Sequence, residues 1–147
     1  MSRSELEPPL SSHRIVVGID GSDCSARALD WAVHEAVRRG AVLDVVSAWM
    51  FPMAIGYSFT STVESVRQSA QKLVDASITH VTDVAPDVVV RGEICEKAPT
   101  LALIEASVGA DLLVVGSRGM GGFLGLLLGS VSQSCVRHAS CPVVVIR

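Results

Sequence analysis

Six glycines and two serines crowd the run Gly116-Ser-Arg-Gly119-Met-Gly121-Gly122-Phe-Leu-Gly125-Leu-Leu-Leu-Gly129-Ser130. It follows a strand-like Leu112-Leu-Val-Val115 and precedes a helix-like Ser132-Gln-Ser-Cys-Val-Arg-His138. A glycine-rich connection of this kind lets backbone come close to a phosphate and aim N–H groups at it, with the helix N-terminus adding a favourable dipole. Gly119, Gly129 and Ser130 are therefore candidate phosphate donors, and Ser130 could also cap the final helix. Gly116 ends a strand where a side chain would obstruct a ring or sugar. Arg118 is the loop's one cation; it suits phosphate oxygens and equally an exposed loop.

A second candidate group follows the first aliphatic run. In Asp20-Gly21-Ser22 the carboxylate could accept hydrogen bonds from ribose hydroxyls or hold a hydrated Mg²⁺, and it also fits a plain turn or cap aspartate. Other nucleotide motifs fail on spacing. A Walker loop needs Gly-Lys-Ser/Thr, and neither Lys72 nor Lys97 follows a glycine; a G-x-G-x-x-G starting at Gly119 meets Leu124 where its last glycine belongs. Gly116-Ser-Arg-Gly119 is not a hydrolase elbow, and His13, His34, His80 and His138 lack zinc-binding spacing. No nucleophile has an assignable base, which argues against efficient catalysis.

Alternating strand and helix signals must position these loops. Arg14–Ile19 reads as a buried first strand, ended by the Asp20-Gly21-Ser22 turn and cap, and apolar residues at helical spacing from Asp23 to Arg39 stop at Gly40. Residues 42–48 form the second strand, and residues 49–60, with Trp49, Phe51, Tyr57 and Phe59, an apolar loop suited to packing over the sheet edge or a partner, or to flanking a ligand. A long amphipathic helix starts near Val63 and ends before Pro86. Asp87–Arg91 is expected as the third strand, Pro99–Val108 as a helix, Asp111–Val115 as the fourth strand and Pro142–Ile146 as the last. This order, with right-handed crossovers, gives an α/β, doubly wound, mainly parallel five-stranded sheet. Ligands then bind beyond the carboxyl ends of the strands. If the first and fourth strands are neighbours, Asp20 and the glycine run face each other across one crevice.

The composition agrees. The 147 residues suit one domain, residues 13–147, preceded by a flexible polar tail over 1–12. Apolar residues make up 49% but aromatics only 4%, as for a buried aliphatic sheet. A net charge of −3 without a basic run argues against a nucleic-acid partner. Leu112–Val131 is apolar enough to raise a membrane span, yet clustered glycines and absent basic or aromatic flanks oppose one. The four cysteines show no C-x-x-C spacing and no secretory leader is evident, so reduced thiols in the cytoplasm are expected. The final strand, aliphatic and terminal, is expected at a sheet edge where a second copy can pair.

Stated whole, the spacing is Gly116, two residues, Gly119, nine residues, Gly129, Ser130. It resembles the ATP-binding signature of the universal stress protein family, and Ile15–Ser22, Ala110–Gly116 and Ser140–Val145 resemble that family's opening, fourth and final strands in the correct order. The resemblance covers residues 13–147. It implies an adenine nucleotide α-hydrolase-like fold with strand order 3-2-1-4-5, ATP with Mg²⁺ as ligand, and a homodimer paired through Val143–Ile146. It also implies that Asp20 contacts ribose and, by way of Mg-ATP, metal. Ile19 and Ala48 would line an adenine pocket, and Gly116, Gly119, Gly129, Ser130 and Val131 would hold ribose and phosphates. The role of Arg118, where the family varies, stays open. The implied function is a nucleotide-linked regulator or sensor in stress response. The alternatives are a dimeric interaction module in which nucleotide is only structural, and a slow ATPase. A related ATP pyrophosphatase is disfavoured, because its serine-glycine-glycine-x-aspartate-serine loop is replaced here by Asp20-Gly-Ser-Asp-Cys-Ser25.

Overall fold

Aliphatic residues occupy both faces of the central strands, so helices must cover the sheet on both sides. In the computed structural model, which describes residues 13–50, 63–120 and 128–147, five parallel strands lie in the order 3-2-1-4-5: β1 (Arg14–Gly18), β2 (Val42–Trp49), β3 (Val90–Glu96), β4 (Leu112–Gly116) and β5 (Val143–Ile146). Helices α1 (Asp23–Arg39) and α2 (Val63–Val84) pack on one face, α3 (Pro99–Ala106) and α4 (Ser130–His138) on the other. Ile15, Val17, Leu43, Val45 and Val114 point into the layer beneath α1 and α2, whereas Val16, Val46, Leu113 and Val115 point beneath α3 and α4. Burying each such side chain contributes about 1.5–3 kcal/mol. The expected tail over residues 1–12 and most of the apolar loop lie outside the described residues; Trp49 itself closes β2 and is buried.

Local signals explain the first βα unit. Ser22 is the N-cap of α1, its hydroxyl accepting from the Ser25 N–H at 3.2 Å. Gly21 takes φ 86° in the turn before it, a conformation costly for a residue with a Cβ. Gly40 caps the other end in the left-handed region, and Arg38 and Arg39 complement the dipole there.

The third strand departs from expectation. Pairing begins at Val90, not Asp87, and runs to Glu96. Asp87 to Val89 instead belong to the approach from α2, with the Val88 N–H bonded to Ala85 O. The reason is position: β3 is an edge strand covered by α2 on the face of Val90, Gly92 and Ile94, so Arg91 and Glu93 on the other face are tolerated as exposed residues. Of the three valines, Val90 lies in β3, Val89 is exposed and lends its carbonyl to the Leu43 N–H, and Val88 is half-buried against the core.

The apolar stretch Leu112–Val131 is no continuous helix, since Leu112–Gly116 is a strand and a new helix starts at Ser130. Among the described residues no helix is long and apolar enough to cross a membrane. Cys24, Cys95, Cys135 and Cys141 are all free thiols, and the first three are buried packing residues.

At the amino ends of the strands, Asp44 on β2 joins two arginines. It accepts from Arg14 at 2.9 Å and from Arg91 at 2.6 and 2.9 Å. Arg14 also donates to the carbonyls of Ala106 and Val108 at the end of α3, and its N–H reaches the Asp111 carboxylate at 2.7 Å. One charged cluster thereby ties β1, β2, β3 and the α3–β4 connection together. Burial disfavours the Asp44 carboxylate, but the two guanidinium groups outweigh it and hold its pKa below the ordinary value.

Candidate functional site

β1 lies between β2 and β4, so the strand order reverses at the β1–β4 seam and the loops leaving these two strands diverge to make a crevice. The crevice holds a cavity of about 530 Å³. Its walls include every residue the sequence singled out: Ile19, Asp20, Ala48, Gly116, Arg118, Gly119, Gly129, Ser130 and Val131. Among its described residues Asp20 is the one carboxylate and Arg118 the one cation.

The cavity has an apolar and a polar end. Ile19, Val46, Ala48, Leu103 and Val115 supply aliphatic wall, with Pro99 at the start of α3. α3 comes close enough that a Cβ on Gly18 would lie 2.8 Å from Leu103 Cδ1. Pro99 and Leu103 were missed by the sequence reading. Their signal was present, because the β3–α3 connection also leaves a strand at its carboxyl end, where ligands gather.

The polar end is built from two helix N-termini. At α1 the Ser22 side chain satisfies the orphan N–H of Ser25. At α4 the N-cap is Gly129, with extended backbone and no side-chain cap. This corrects one expectation: Ser130 is the first residue of the helix rather than its cap, because Gly129 already holds the non-helical cap conformation. The leading N–H groups of α4 are thus left without a side-chain acceptor beside the cavity. The Ser132 hydroxyl fixes this terminus from behind, sharing its one proton between Ser117 O and Gly129 O at 3.0 Å each, while the Gly129 N–H donates to Ser117 O.

Glycine is needed at two of these positions for space. A Cβ on Gly116 would stand 2.8 Å from Cys24 Cβ, 2.9 Å from Cys24 carbonyl carbon and 3.1 Å from Ser25 N. On Gly119 it would stand 2.6 Å from Asp20 Oδ2. Asp20 is held on both oxygens: Oδ1 accepts from the Ser22 N–H at 2.9 Å and from the Ser22 hydroxyl, and Oδ2 accepts from the Met120 N–H at 3.0 Å. Burial pushes the Asp20 pKa up, but these bonds and Ser25 outweigh it, so the group stays ionised below the ordinary carboxylate range. Among the described residues no group of three or more His, Cys, Asp or Glu side chains could hold a metal by itself. Any cation in the crevice would need ligands from a bound molecule and water beside Asp20.

Sequence comparison places the chain among known proteins. The model of the Universal stress protein family matches residues 11–147. Universal stress protein Rv1996 of Mycobacterium tuberculosis is 38% identical over 137 residues, covering 90% of this chain and 43% of the relative. The chain therefore spans about half the length of the curated relatives it matches. Among solved structures, a universal stress protein in complex with cAMP is 30% identical with a TM-score of 0.64, over 92% of this chain and 97% of that one. A family protein from Burkholderia pseudomallei is 26% identical with a TM-score of 0.71, over 95% and 98%. With its strand order, its crevice and these matches taken together, the chain belongs to the universal stress protein family.

Proposed function

We propose that the crevice binds an adenine nucleotide, ATP with Mg²⁺, and that the protein works as a nucleotide-linked regulator or sensor in stress response rather than as a fast enzyme. The observation that carries the reading is the N-terminus of α4, uncapped by any side chain among the described residues and opening on a cavity of about 530 Å³ opposite Asp20. That volume falls within the range of small-molecule sites, and free N–H groups at a helix start favour an anion. The 30% identical neighbour solved with cAMP supports an adenine nucleotide.

In this reading the base lies in the apolar end against Ile19, Ala48 and Leu103, and the sugar near Gly116 and Asp20. The phosphates meet the backbone of Gly119, Gly129, Ser130 and Val131, with Arg118 supplying the one cation among the described walls. Mg²⁺ would neutralise phosphate charge there, and Asp20, the one carboxylate among the described walls, would be its candidate protein partner. Net charge −3 and free buried thiols support a cytoplasmic protein with a small-molecule rather than nucleic-acid partner.

Mass spectrometry of ligand released from fresh protein should show an adenine nucleotide. Calorimetry with ATP and Mg²⁺ should give micromolar affinity, about −8 kcal/mol. Gly129→Val, whose Cβ would sit in ordinary contact 3.4 Å from Ser117 O but whose branches would add bulk at the cavity wall, should weaken binding at least about tenfold. No heat and no thermal shift at millimolar ATP and Mg²⁺ would sink the reading.

The same proposal includes a homodimer paired through β5. Support comes from its place at the sheet edge, with all four residues only partly buried. Sedimentation equilibrium should return twice the chain mass of 15.5 kDa. A single species of 15.5 kDa would count against pairing.

A further inference from the structure

Asp20 is more engaged than a residue waiting for a sugar should be. A carboxylate offers about four lone-pair positions. Three are taken within the protein, by the Ser22 N–H, the Ser22 hydroxyl and the Met120 N–H. The bonds form a chain: the Ser25 N–H donates to the Ser22 hydroxyl, that hydroxyl donates to Asp20, and Asp20 accepts from Met120 across the crevice. The N-cap of α1 and the turn after β4 are fastened to each other through one side chain. Asp20 and Met120 are 100 residues apart in sequence.

The approach of the turn depends on Gly119. With a Cβ only 2.6 Å from Asp20 Oδ2, any other residue would force the carboxylate, tied by three hydrogen bonds, or the turn itself to shift. Gly119 does not have positive φ, so its requirement is for space rather than for backbone freedom. Arg118, Gly119 and Met120 all line the cavity, so the position of this turn sets the shape of the phosphate end.

We propose that Asp20 is a positioning residue: it promotes nucleotide binding chiefly by clasping the Gly119–Met120 turn to the N-cap of α1, rather than by gripping sugar hydroxyls. This rests on the nucleotide reading of the crevice. Because the clasp acts through backbone, it serves a nucleotide with or without hydroxyls on its sugar. Gly119 and Asp20 then work as one unit, and damaging both costs no more than damaging either.

The test uses the full chain, with ATP and 2′,3′-dideoxy-ATP, each with Mg²⁺, as calorimetric probes against wild type, Asp20→Asn, Gly119→Ala and the double variant. Asparagine keeps the size of Asp20 but loses its charge and one acceptor. Each single variant should weaken both nucleotides by about tenfold, with the two factors agreeing within about twofold. The double variant should be no weaker than the weaker single. Hydrogen exchange at the Met120 amide in the ligand-free protein should accelerate at least about tenfold in Asp20→Asn, as for any amide released from a charge-assisted bond. Loss confined to ATP, with dideoxy-ATP bound as before, would make Asp20 a sugar ligand and overturn the proposal. So would unchanged Met120 exchange. If wild type binds neither nucleotide, the binding role falls with the nucleotide reading, while Met120 exchange still decides whether the clasp exists. Gly119→Ala guards against a folding defect peculiar to Asp20→Asn.

Discussion

Gly116→Val is expected to lower the thermal midpoint by about 8 °C, equivalent to roughly 3 kcal/mol of overpacking, and to abolish nucleotide binding together with it. The obstacle is chiefly backbone. Of the three atoms a Cβ would meet, the Cys24 carbonyl carbon and Ser25 N belong to the first turn of α1, which a rotamer change cannot move aside. The Cys24 side chain is itself pinned, with its Sγ accepting from Arg27 at 3.2 Å and lying 3.8 Å from Ser117 Oγ. Relief therefore requires α1 to back away from the end of β4, which widens the seam the crevice is built on. Thermal unfolding and calorimetry on the same preparation check both halves. An unchanged midpoint would mean that the turn accommodates the side chain and that Gly116 is dispensable for packing.

The second large effect is expected at the opposite end of the sheet. Asp44→Ala should destabilise the protein by about 2–3 kcal/mol, less than for a fully buried pair because Arg91 is largely exposed. Arg14 loses its carboxylate while remaining held against the carbonyls of Ala106 and Val108, with only 26% of its side chain exposed. The acid dependence follows from the same pair. The folded-state pKa of Asp44 lies below its unfolded value of about 3.9. Its stabilisation is therefore complete above that value and lost as pH falls through the lower folded-state pKa. Wild type should keep its denaturant midpoint from neutrality to about pH 5 and lose it below about pH 4, a fall shared with Asp20 and Asp111, whose pKa values are also lowered. Asp44→Asn should show a shallower fall. An acid limb identical to wild type would remove Asp44 from the account. Nucleotide affinity should change little in either variant, because the cluster lies at the amino ends of the strands.

Residue patterns carried most of the architecture. Aliphatic runs marked β1, β2, β4 and β5, and Gly40 and Pro99 marked a helix end and a helix start, because burial on two faces and backbone capping leave direct compositional traces. The strand β3 left a false trace. Its neighbour Val88 packs against the core without pairing, whereas Arg91 and Glu93 pair while exposed, and composition reports burial more faithfully than hydrogen bonding. At the crevice, Gly116 and Gly119 were readable because positions so closely approached tolerate little else, whereas Gly129 was legible through its spacing from them. The Met120 contact with Asp20 was not, since it uses an N–H that every residue but proline carries. Nor could the sequence show that Cys24 lies beneath Gly116, or that Arg14, Asp44 and Arg91 meet; these depend on register between strands.

The seam between β1 and β4 also bears on how the protein comes into being. β1 and β2 can meet through one short helical crossover, but the Arg14 contact with Asp111 closes 97 residues of chain. Closing that span costs conformational entropy before any contact across it repays the cost. The two walls of the crevice belong to opposite sides of this long-range pairing, so a chain lacking the seam has no place for the ligand. Occupancy therefore favours only the completed domain, by mass action on the native state alone. On the proposed nucleotide reading, nucleotide would lengthen the time for which the newly made chain survives proteolysis.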